Sequence, residues 1–164
     1  MHIVLFEPEI PPNTGNIARL CAATCTELHL IEPLGFSLED KYMKRAGLDY
    51  WPHVRVSVWP NFAAYCAGAG ATKRLVATSS RGGQAVHQFA FSREDALVFG
   101  PETRGLPPEV LAQTAHRVRI PIWGQVRSLN LSTAAGIVLY QALGVTGVLD
   151  SVDTSAQECT PPTP

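Results

Sequence analysis

The alternation of short apolar runs with helical stretches constrains the fold of this chain more than any other feature of its sequence. Each apolar run is rich in β-branched residues and is bounded by proline, glycine or charge, which is typical of strands. The predicted strands are Ile3–Phe6, Leu28–Ile31, Val54–Val58, Leu75–Thr78, Ala96–Phe99 and Val118–Ile122. The predicted helices are Thr14–Thr24, Glu39–Ala46, Asn61–Ala69, Pro108–Ala115 and Leu131–Leu143. This order predicts a layered α/β fold with a parallel sheet, in which ligands bind at the carboxyl ends of the strands.

Length and composition are those of one compact domain. The chain has 164 residues, of which 46% are hydrophobic and 16% charged. We expect a single domain over residues 1–150 and a disordered tail over residues 151–164, because the tail is rich in Ser, Thr and Pro. The apolar start of the chain ends at Glu7 and Pro8, and no apolar run reaches membrane-spanning length. These features predict a cytoplasmic protein.

The cysteines and histidines follow no redox or metal-binding pattern. The four cysteines include no CxxC pair, and most of them lie among Ala and Leu, which predicts reduced thiols. The five histidines are scattered, with no HExxH motif and no cysteine at ligand spacing. We therefore expect no metal.

Charge is close to balanced overall but is unevenly distributed. A formal net charge of −1 argues against a histone-like mode of nucleic-acid binding. Basic residues nevertheless cluster over residues 41–45 and again over residues 104–127, at Lys41, Lys44, Arg45, Arg104, Arg117, Arg119 and Arg127. This distribution allows a local basic face.

The stretch from Gly124 to Gly144 changes abruptly from a polar loop to an apolar helix. Polar residues occur at Arg127, Ser128, Asn130 and Ser132. Either Asn130 or Ser132 can cap the helix that starts near Leu131. Capping requires only one such residue, so the density of polar side chains favours a ligand site over a cap alone.

Two further loops of this kind follow predicted strands. In EPEIPPNTGNIARL, two prolines stiffen the approach, Asn13 or Thr14 can cap the helix, and Arg19 projects from its first turns. In LVFGPETRGLP, Gly100 lets the backbone approach a ligand closely, and Glu102 and Arg104 add opposite charges beside it. Each loop alone is consistent with an ordinary turn. Because the three loops are expected at the same edge of the sheet, together they favour a binding site.

Common nucleotide-binding and hydrolase motifs are missing from these loops. Neither GxGxxG nor the nucleophile elbow GxSxG occurs. Gly100 and Gly105 have the glycine spacing of a P-loop, but Leu106 and Pro107 replace the Lys and Ser/Thr that bind phosphate and magnesium. The loops therefore do not predict an NTPase.

The segments NTGNIAR, LVFGPETRGLP and RSLNLSTAAGIVLYQAL resemble, in order and spacing, the three motifs of SPOUT-class RNA 2′-O-ribose methyltransferases. The resemblance covers roughly residues 1–145. Within that class, EPEIPPNTGNIARLCA and AGLDYW resemble the YibK-like enzymes that methylate cytidine or uridine 34 of tRNA. The resemblance implies S-adenosylmethionine as methyl donor, a deep C-terminal trefoil knot, a homodimer and the anticodon stem-loop, expected to be that of leucine tRNAs, as substrate.

The resemblance also implies roles for individual residues. The donor would contact Thr78, Gly100, Ile120, Ile122, Ser128 and Leu129. Arg19, Glu102, Ser128 and Asn130 would form the catalytic group, with Arg19 at the target ribose. Lys41, Lys44, Arg45 and Arg104 would contact RNA, and Tyr140 would lie in the dimer interface.

Three other functions remain as alternatives. The nearest is 2′-O-methylation of another tRNA position or of ribosomal RNA. A second is a catalytically silent RNA-binding protein on the same scaffold, against which the intact catalytic group counts. A third is a flavodoxin-like nucleotide-binding regulator, which flavin absorbance would reveal.

Overall fold

Seven parallel strands form one sheet in the computed structural model, which describes residues 1–38 and 53–151. The strands are β1 His2–Phe6, β2 Glu27–Ile31, β3 Val56–Trp59, β4 Arg74–Thr78, β5 Gln84–Ala85, β6 Asp95–Phe99 and β7 His116–Arg119. Their order across the sheet is β3-β2-β1-β6-β4-β7-β5, and all paired neighbours run parallel. The predicted parallel α/β architecture is therefore confirmed.

The order of the strands reverses beside β1. The chain moves outward from β1 to β2 and β3, and then crosses to the other side of β1 to build β4, β6 and β7. In an open α/β sheet, a crevice opens outside the carboxyl ends of the strands at such a reversal. The fold therefore provides a binding position where β1 and β6 end.

Helices cover both faces of the sheet. They are α1 Pro11–Thr24, α2 Phe62–Ala67, α3 Pro108–Gln113 and α4 Leu131–Val145, with short 3-10 turns at Val86–Gln88 and Leu149–Ser151. Alternate residues of β1 point to opposite faces. Ile3 and Leu5 pack with α1 and α4 in one core cluster, whereas Val4 and Phe6 pack with α2 and α3 in a second.

Several predicted boundaries are wrong for local reasons. Helix α1 begins at Pro11 rather than Thr14, because two prolines without N–H groups occupy its first positions. The last predicted strand ends at Arg119 rather than Ile122, since Pro121 has no N–H for the sheet. Strand β5 was not predicted, because two residues are too few to show an alternating pattern.

Some predictions lie outside the described residues. They are the helix Glu39–Ala46, the basic group Lys41, Lys44 and Arg45, and the tail beyond residue 151. The knot and the division into a domain and a tail stay predictions. Among the described helices, none is long and apolar enough to cross a membrane.

The cysteines differ from expectation at one position. Cys21 and Cys66 are free thiols, and burial raises the pKa of Cys21 to about 12. Cys25 is disulfide-bonded, so the prediction of reduced thiols is wrong there. Cys159 lies outside the described residues.

Candidate functional site

A cavity of about 710 Å³ opens at the carboxyl edge of the sheet. Its walls come from the ends of β4, β6 and β7 and from the loops that follow them. Nine of the residues predicted for the site line this cavity: Thr78, Gly100, Glu102, Arg104, Ile120, Ile122, Ser128, Leu129 and Asn130. Ile10 and Asn13, from the segment after β1, line it as well, so the three loops that the sequence singled out meet at one place.

Gly100 is required by the way the loop after β6 folds back on itself. A Cβ at this position would overlap the backbone of Gly105 and Leu106. The loop closes through a hydrogen bond of 3.0 Å from the N–H of Gly105 to the carbonyl of Pro101. Gly105 has a φ of +72°, which an L side chain rarely adopts. Both glycines thus shape the wall that carries Glu102.

The carboxylate of Glu102 caps the start of α1 from this distant loop. Its Oε2 accepts from the N–H of Glu9 at 2.9 Å, and its Oε1 accepts from the N–H of Ile10 at 3.3 Å. Pro11 and Pro12 cannot donate, so these are the amides left exposed where the helix begins. A negative charge at the positive end of a helix is favourable. Glu102 therefore holds the loop after β6 against α1.

Asn13 links Glu102 to Asn130 and fixes the orientation of both side chains. Its Nδ2 donates to Glu102 Oε1 at 2.9 Å, and its Oδ1 accepts from Asn130 Nδ2 at 2.9 Å. An ionised carboxylate only accepts, which requires the amide nitrogen of Asn13 to face Glu102. The oxygen of Asn13 then faces Asn130, and the oxygen of Asn130 is directed towards α4.

Asn130 is the cap of α4, so the choice between Asn130 and Ser132 is settled. Its Oδ1 accepts from the N–H groups of Ser132 at 2.9 Å and Thr133 at 3.3 Å, and from the hydroxyl of Ser132 at 2.7 Å. Backbone N–H groups only donate, so the amide oxygen of Asn130 must face α4 and its nitrogen must face Asn13. The hydrogen bond that Glu102 accepts from Asn13 requires the same orientation. The hydrogen bonds between Glu102 and Asn13 and between Asn13 and Asn130 therefore connect the start of α1 with the start of α4.

The role of Asn13 was missed, since the sequence suggested it as the cap of α1. The cap position is Ile10, whose side chain makes no capping bond, and Asn13 lies inside the first turn. The paired prolines were the available signal, because proline favours the first helical position and so makes Asn13 the third residue of the helix. Asn13 is buried, with an exposed fraction of 5%.

The lining of the cavity carries an excess of positive charge. Arg81, Arg104, Arg117 and Arg127 line it, and Glu102 is the one acidic residue among the described residues of the lining. Arg104 is paired with Glu7, which leaves its charge less available for the predicted contact with RNA. No ion pair is formed by Arg81, Arg117 or Arg127 within the described part of the chain.

Arg19 does not line the cavity of its own chain. It lies on an exposed side of α1, in the third turn rather than in the first turns that were predicted. It follows Asn13 by six residues, a rotation of about 240° beyond one full turn of the helix. The two side chains therefore leave α1 in different directions. The structure brings the other predicted catalytic residues together, but not Arg19.

A second polar cluster lies at the opposite, amino-terminal edge of the sheet. His2, Glu27 and His29 have potential metal-ligand atoms within 4.8 Å of one another. However, His29 Nδ1 accepts from Trp59 Nε1 at 3.0 Å, so the hydrogen of the neutral ring must sit on Nε2, the atom that faces Glu27. A protonated nitrogen cannot coordinate a metal. This arrangement indicates that His2 and His29 pack against each other as neutral rings and do not form a metal site.

Burial keeps both imidazoles neutral. It lowers the pKa of His2 to about 3, with help from the neighbouring His29 and the nearby Lys73. It also lowers the pKa of His29 to about 4, against the opposing effect of Glu27 and with a smaller contribution from Lys73. The contacts of the two rings to Glu27, at 3.6 and 3.7 Å, are therefore not ion pairs at neutral pH.

Comparisons with known proteins agree with the resemblance read from the motifs. The model of the SpoU rRNA Methylase family matches residues 1–140. A tRNA (cytidine(34)-2'-O)-methyltransferase of Methylovorus glucosotrophus is 55% identical over 85% of this chain and 92% of its own length.

Solved structures are similar across the same region. One that gives structural insights into the 2-OH methylation of C/U34 on tRNA is 50% identical, with a TM-score of 0.82 over 86% of this chain and 92% of its own. The SpoU methyltransferase AviRb of Streptomyces viridochromogenes, solved in complex with the cofactor AdoMet, is 25% identical, with a TM-score of 0.78 over 88% of this chain and 57% of its own. By its family match and by its identity to these proteins over most of its length, this chain belongs to the SpoU rRNA methylase family.

Proposed function

We propose that this protein transfers a methyl group from S-adenosylmethionine to the ribose 2′-oxygen of the wobble nucleotide of tRNA, cytidine or uridine 34. The observation that carries this proposal is the meeting of all three motif loops at one cavity, on the edge of the sheet where α/β folds bind ligands. The names of relatives about half identical over most of the chain support the choice of nucleotide. We expect leucine tRNAs as substrates and the cytoplasm as location.

The cavity suits a donor of this size and chemistry. Small-molecule pockets usually enclose about 300–1,000 Å³ and combine apolar walls with a few polar groups. Ile120, Ile122 and Leu129 offer an apolar slot for an adenine ring, and the backbone around Gly100 offers hydrogen-bonding groups. Thr78 and Ser128 add hydroxyls, although Thr78 Oγ1 already donates to the carbonyl of Val98 at 3.0 Å. The lining residues therefore fit the proposed donor.

In the proposed reaction, the 2′-oxygen forms a bond to the methyl carbon, the carbon–sulfur bond breaks to leave S-adenosylhomocysteine, and the 2′-hydroxyl loses its proton to solvent water. Glu102 is a poor proton acceptor for this step, because its two oxygens already accept three hydrogen bonds. We assign Glu102 and Asn130 to positioning. Ser128 lines the cavity with an exposed hydroxyl that makes no hydrogen bond among the described residues, so we assign it a direct contact with the ribose.

Arg19 would stabilise the alkoxide that develops on the 2′-oxygen. A guanidinium stays protonated in proteins, so it supplies charge rather than acting as a base. Since Arg19 does not line the cavity of its own chain, we propose that it enters the site of a second copy. The site would then be complete only in a homodimer.

The surface that would form the dimer lies on α1 and α4. These helices share one core cluster, and α4 exposes an apolar stripe that includes Ile137 and Tyr140, which are 40% and 49% exposed. Apolar surface of this kind, next to the exposed side of α1 that carries Arg19, suits a self-complementary interface. We also propose, from the family resemblance, that residues 1–150 form one domain whose C-terminal part is tied in a deep trefoil knot.

Mapping 2′-O-methyl groups in cellular RNA tests the proposed substrate. RNA from a strain lacking the gene should lose one methyl group, at nucleotide 34 of its target tRNAs, and the gene supplied on a plasmid should restore it. Loss at another tRNA position or in ribosomal RNA would keep the chemistry but replace the substrate. An unchanged methylation map would contradict the proposal.

A further inference from the structure

We propose that Trp123, at the outer rim of the cavity, is a stacking platform for a nucleobase of the RNA next to the methylated nucleotide. This inference rests on the proposed function, because it needs RNA to approach this cavity. Nothing in the chemistry of methyl transfer itself requires an aromatic ring at this position.

Trp123 is exposed to an unusual degree. Its exposed fraction is 94%, and that of the nearby Val126 is 60%. All six residues from 123 to 128 are exposed, and none of them makes a hydrogen bond within the described part of the chain. A free indole ring presents a large apolar face to water, which is unfavourable unless a partner covers it. The folded chain supplies no such partner among its described residues.

The location of Trp123 relates it to the cavity. The adjacent Ile122 lines the cavity, and so does Arg127, four residues after Trp123, whereas Trp123 and Val126 do not. The segment from Ile122 to Arg127 therefore contributes to the cavity wall, while the indole ring of Trp123 lies outside the cavity and faces solvent. When the ribose of a nucleotide enters the cavity, a neighbouring nucleotide can therefore reach the ring from outside.

The charges beside the ring identify the class of partner. Arg81, Arg117 and Arg127 line the same cavity without an acidic partner in the described residues. An exposed aromatic ring next in sequence to a cavity that is lined by arginines without acidic partners is a combination that suits single-stranded nucleic acid, because bases stack on the ring and phosphates contact the arginines. Anticodon loops present unpaired bases of this kind. A second protein copy would instead be expected to cover the apolar side chains of α4, Ile137 and Tyr140.

Binding measurements on the full-length chain with a saturating S-adenosylmethionine analogue test the role of the ring. The probe is a synthetic anticodon stem-loop with 2-aminopurine beside nucleotide 34. Trp123→Ala should raise the dissociation constant for this RNA about tenfold, and Trp123→Phe should stay within about threefold of wild type, since every aromatic face can stack. Val58→Ala, at an exposed apolar side chain on the far edge strand, is the matched control and should bind like wild type.

Salt dependence separates stacking from charge. The loss in Trp123→Ala should be similar at low and high salt, whereas the loss in Arg81→Ala should shrink as salt rises. The 2-aminopurine fluorescence should be quenched by wild type and by Trp123→Phe, but not by Trp123→Ala. Donor affinity and the sedimentation coefficient should not change in any Trp123 variant.

Three results would overturn the inference. They are wild-type RNA affinity in Trp123→Ala, loss of donor affinity in that variant, and its conversion to a smaller species, which would assign the ring to contact between copies. RNA binding that depends on Trp123 without any methyl transfer would uphold the inference while contradicting the proposed function. A wild-type protein that binds no RNA would contradict both.

Discussion

Asn13 donates a hydrogen bond of 2.9 Å to Glu102 although 89 residues separate them, and both side chains line the same cavity. Through this bond, the loop after β6 is fixed to the start of α1. The second bond of Asn13, to Asn130, extends the connection to α4. The geometry of the site therefore depends on a few polar contacts between loops that are distant in the sequence.

Glu102→Gln tests this connection with a side chain of the same shape. The amide nitrogen of glutamine must face one of the N–H donors that the carboxylate now accepts, which leaves a donor unsatisfied. We expect the free energy of unfolding to fall by about 1–3 kcal/mol, and the affinity for S-adenosylmethionine to fall with it. Chemical denaturation and calorimetry measure the two effects. Glu32→Gln, at an exposed carboxylate, is the control and should change the free energy of unfolding by less than about 0.5 kcal/mol. Equal behaviour of the two variants would contradict the connecting role.

Gly100→Ala tests the tight loop after β6. Because a Cβ at this position would overlap the backbone of Gly105 and Leu106, the loop must shift or the fold must absorb the clash. We expect a loss of at least about 2 kcal/mol in the free energy of unfolding and donor affinity weakened by about tenfold or more. Gly124→Ala is the matched control, since a Cβ there would meet no atom within 4 Å. Donor affinity that is unchanged in the Gly100 variant would remove this glycine from the proposed pocket.

The sequence was informative wherever the cause of structure is local. Short apolar runs bounded by proline, glycine or charge identified β1, β6 and the other buried strands, and the polar-to-apolar change at Leu131 located the start of α4. Gly100 was predicted to let the backbone approach a ligand closely, and the close approach that the structure shows is to the backbone of its own loop, at Gly105 and Leu106. In each case, the signal lies within a few residues of the element that it describes.

Contacts between distant segments could not be predicted from such patterns. The sequence suggested several caps for α1 from its own residues, whereas the capping group is Glu102 from another loop. The pairing of Arg104 with Glu7 depends on β1 and β6 being neighbours, which only the strand order reveals. The direction of Arg19, likewise, follows from where α1 begins.

The apolar side chains of α4 predict a homodimer. Tyr140 is 49% exposed in the single chain, and an aromatic ring with a polar tip suits a contact that buries the ring. We expect sedimentation at micromolar concentration to show a dimer for wild type and a shift towards monomer for Tyr140→Asp. Val58→Asp places the same charge at an exposed position on the far edge strand and should leave the dimer intact. A monomeric wild type would rule out both the interface and the shared site.

The two buried histidines make stability depend on pH. In the unfolded chain, a histidine takes up its proton near a pKa of about 6.5, whereas burial lowers the pKa of His2 to about 3 and that of His29 to about 4 in the folded protein. Between these values, the unfolded state binds more protons. The free energy of unfolding is therefore not reduced by these histidines above about pH 6.5. As the pH falls from about 6.5 towards the folded pKa values, it decreases by about 1.4 kcal/mol per pH unit for each histidine.

Urea unfolding at pH 7 and pH 5 measures this dependence. His29→Gln should lower the difference in unfolding free energy between the two conditions, while His87→Gln, at an exposed position, should keep the wild-type difference. If wild type and His29→Gln lost the same amount of stability between the two conditions, the ring would not be held neutral by the fold.

The most direct test of the central claim is single-turnover methylation of a synthetic anticodon stem-loop, with protein and S-adenosylmethionine in excess. We predict one methyl group, on the ribose 2′-oxygen of cytidine 34, and no transfer to a matched RNA with 2′-deoxycytidine at that position. Arg19→Ala should slow the reaction about 100-fold while donor binding stays near wild type, since its charge acts on the transition state. Methylation of the 2′-deoxy RNA, or the absence of transfer to both this stem-loop and tRNA from cells lacking the gene despite donor binding, would contradict the account.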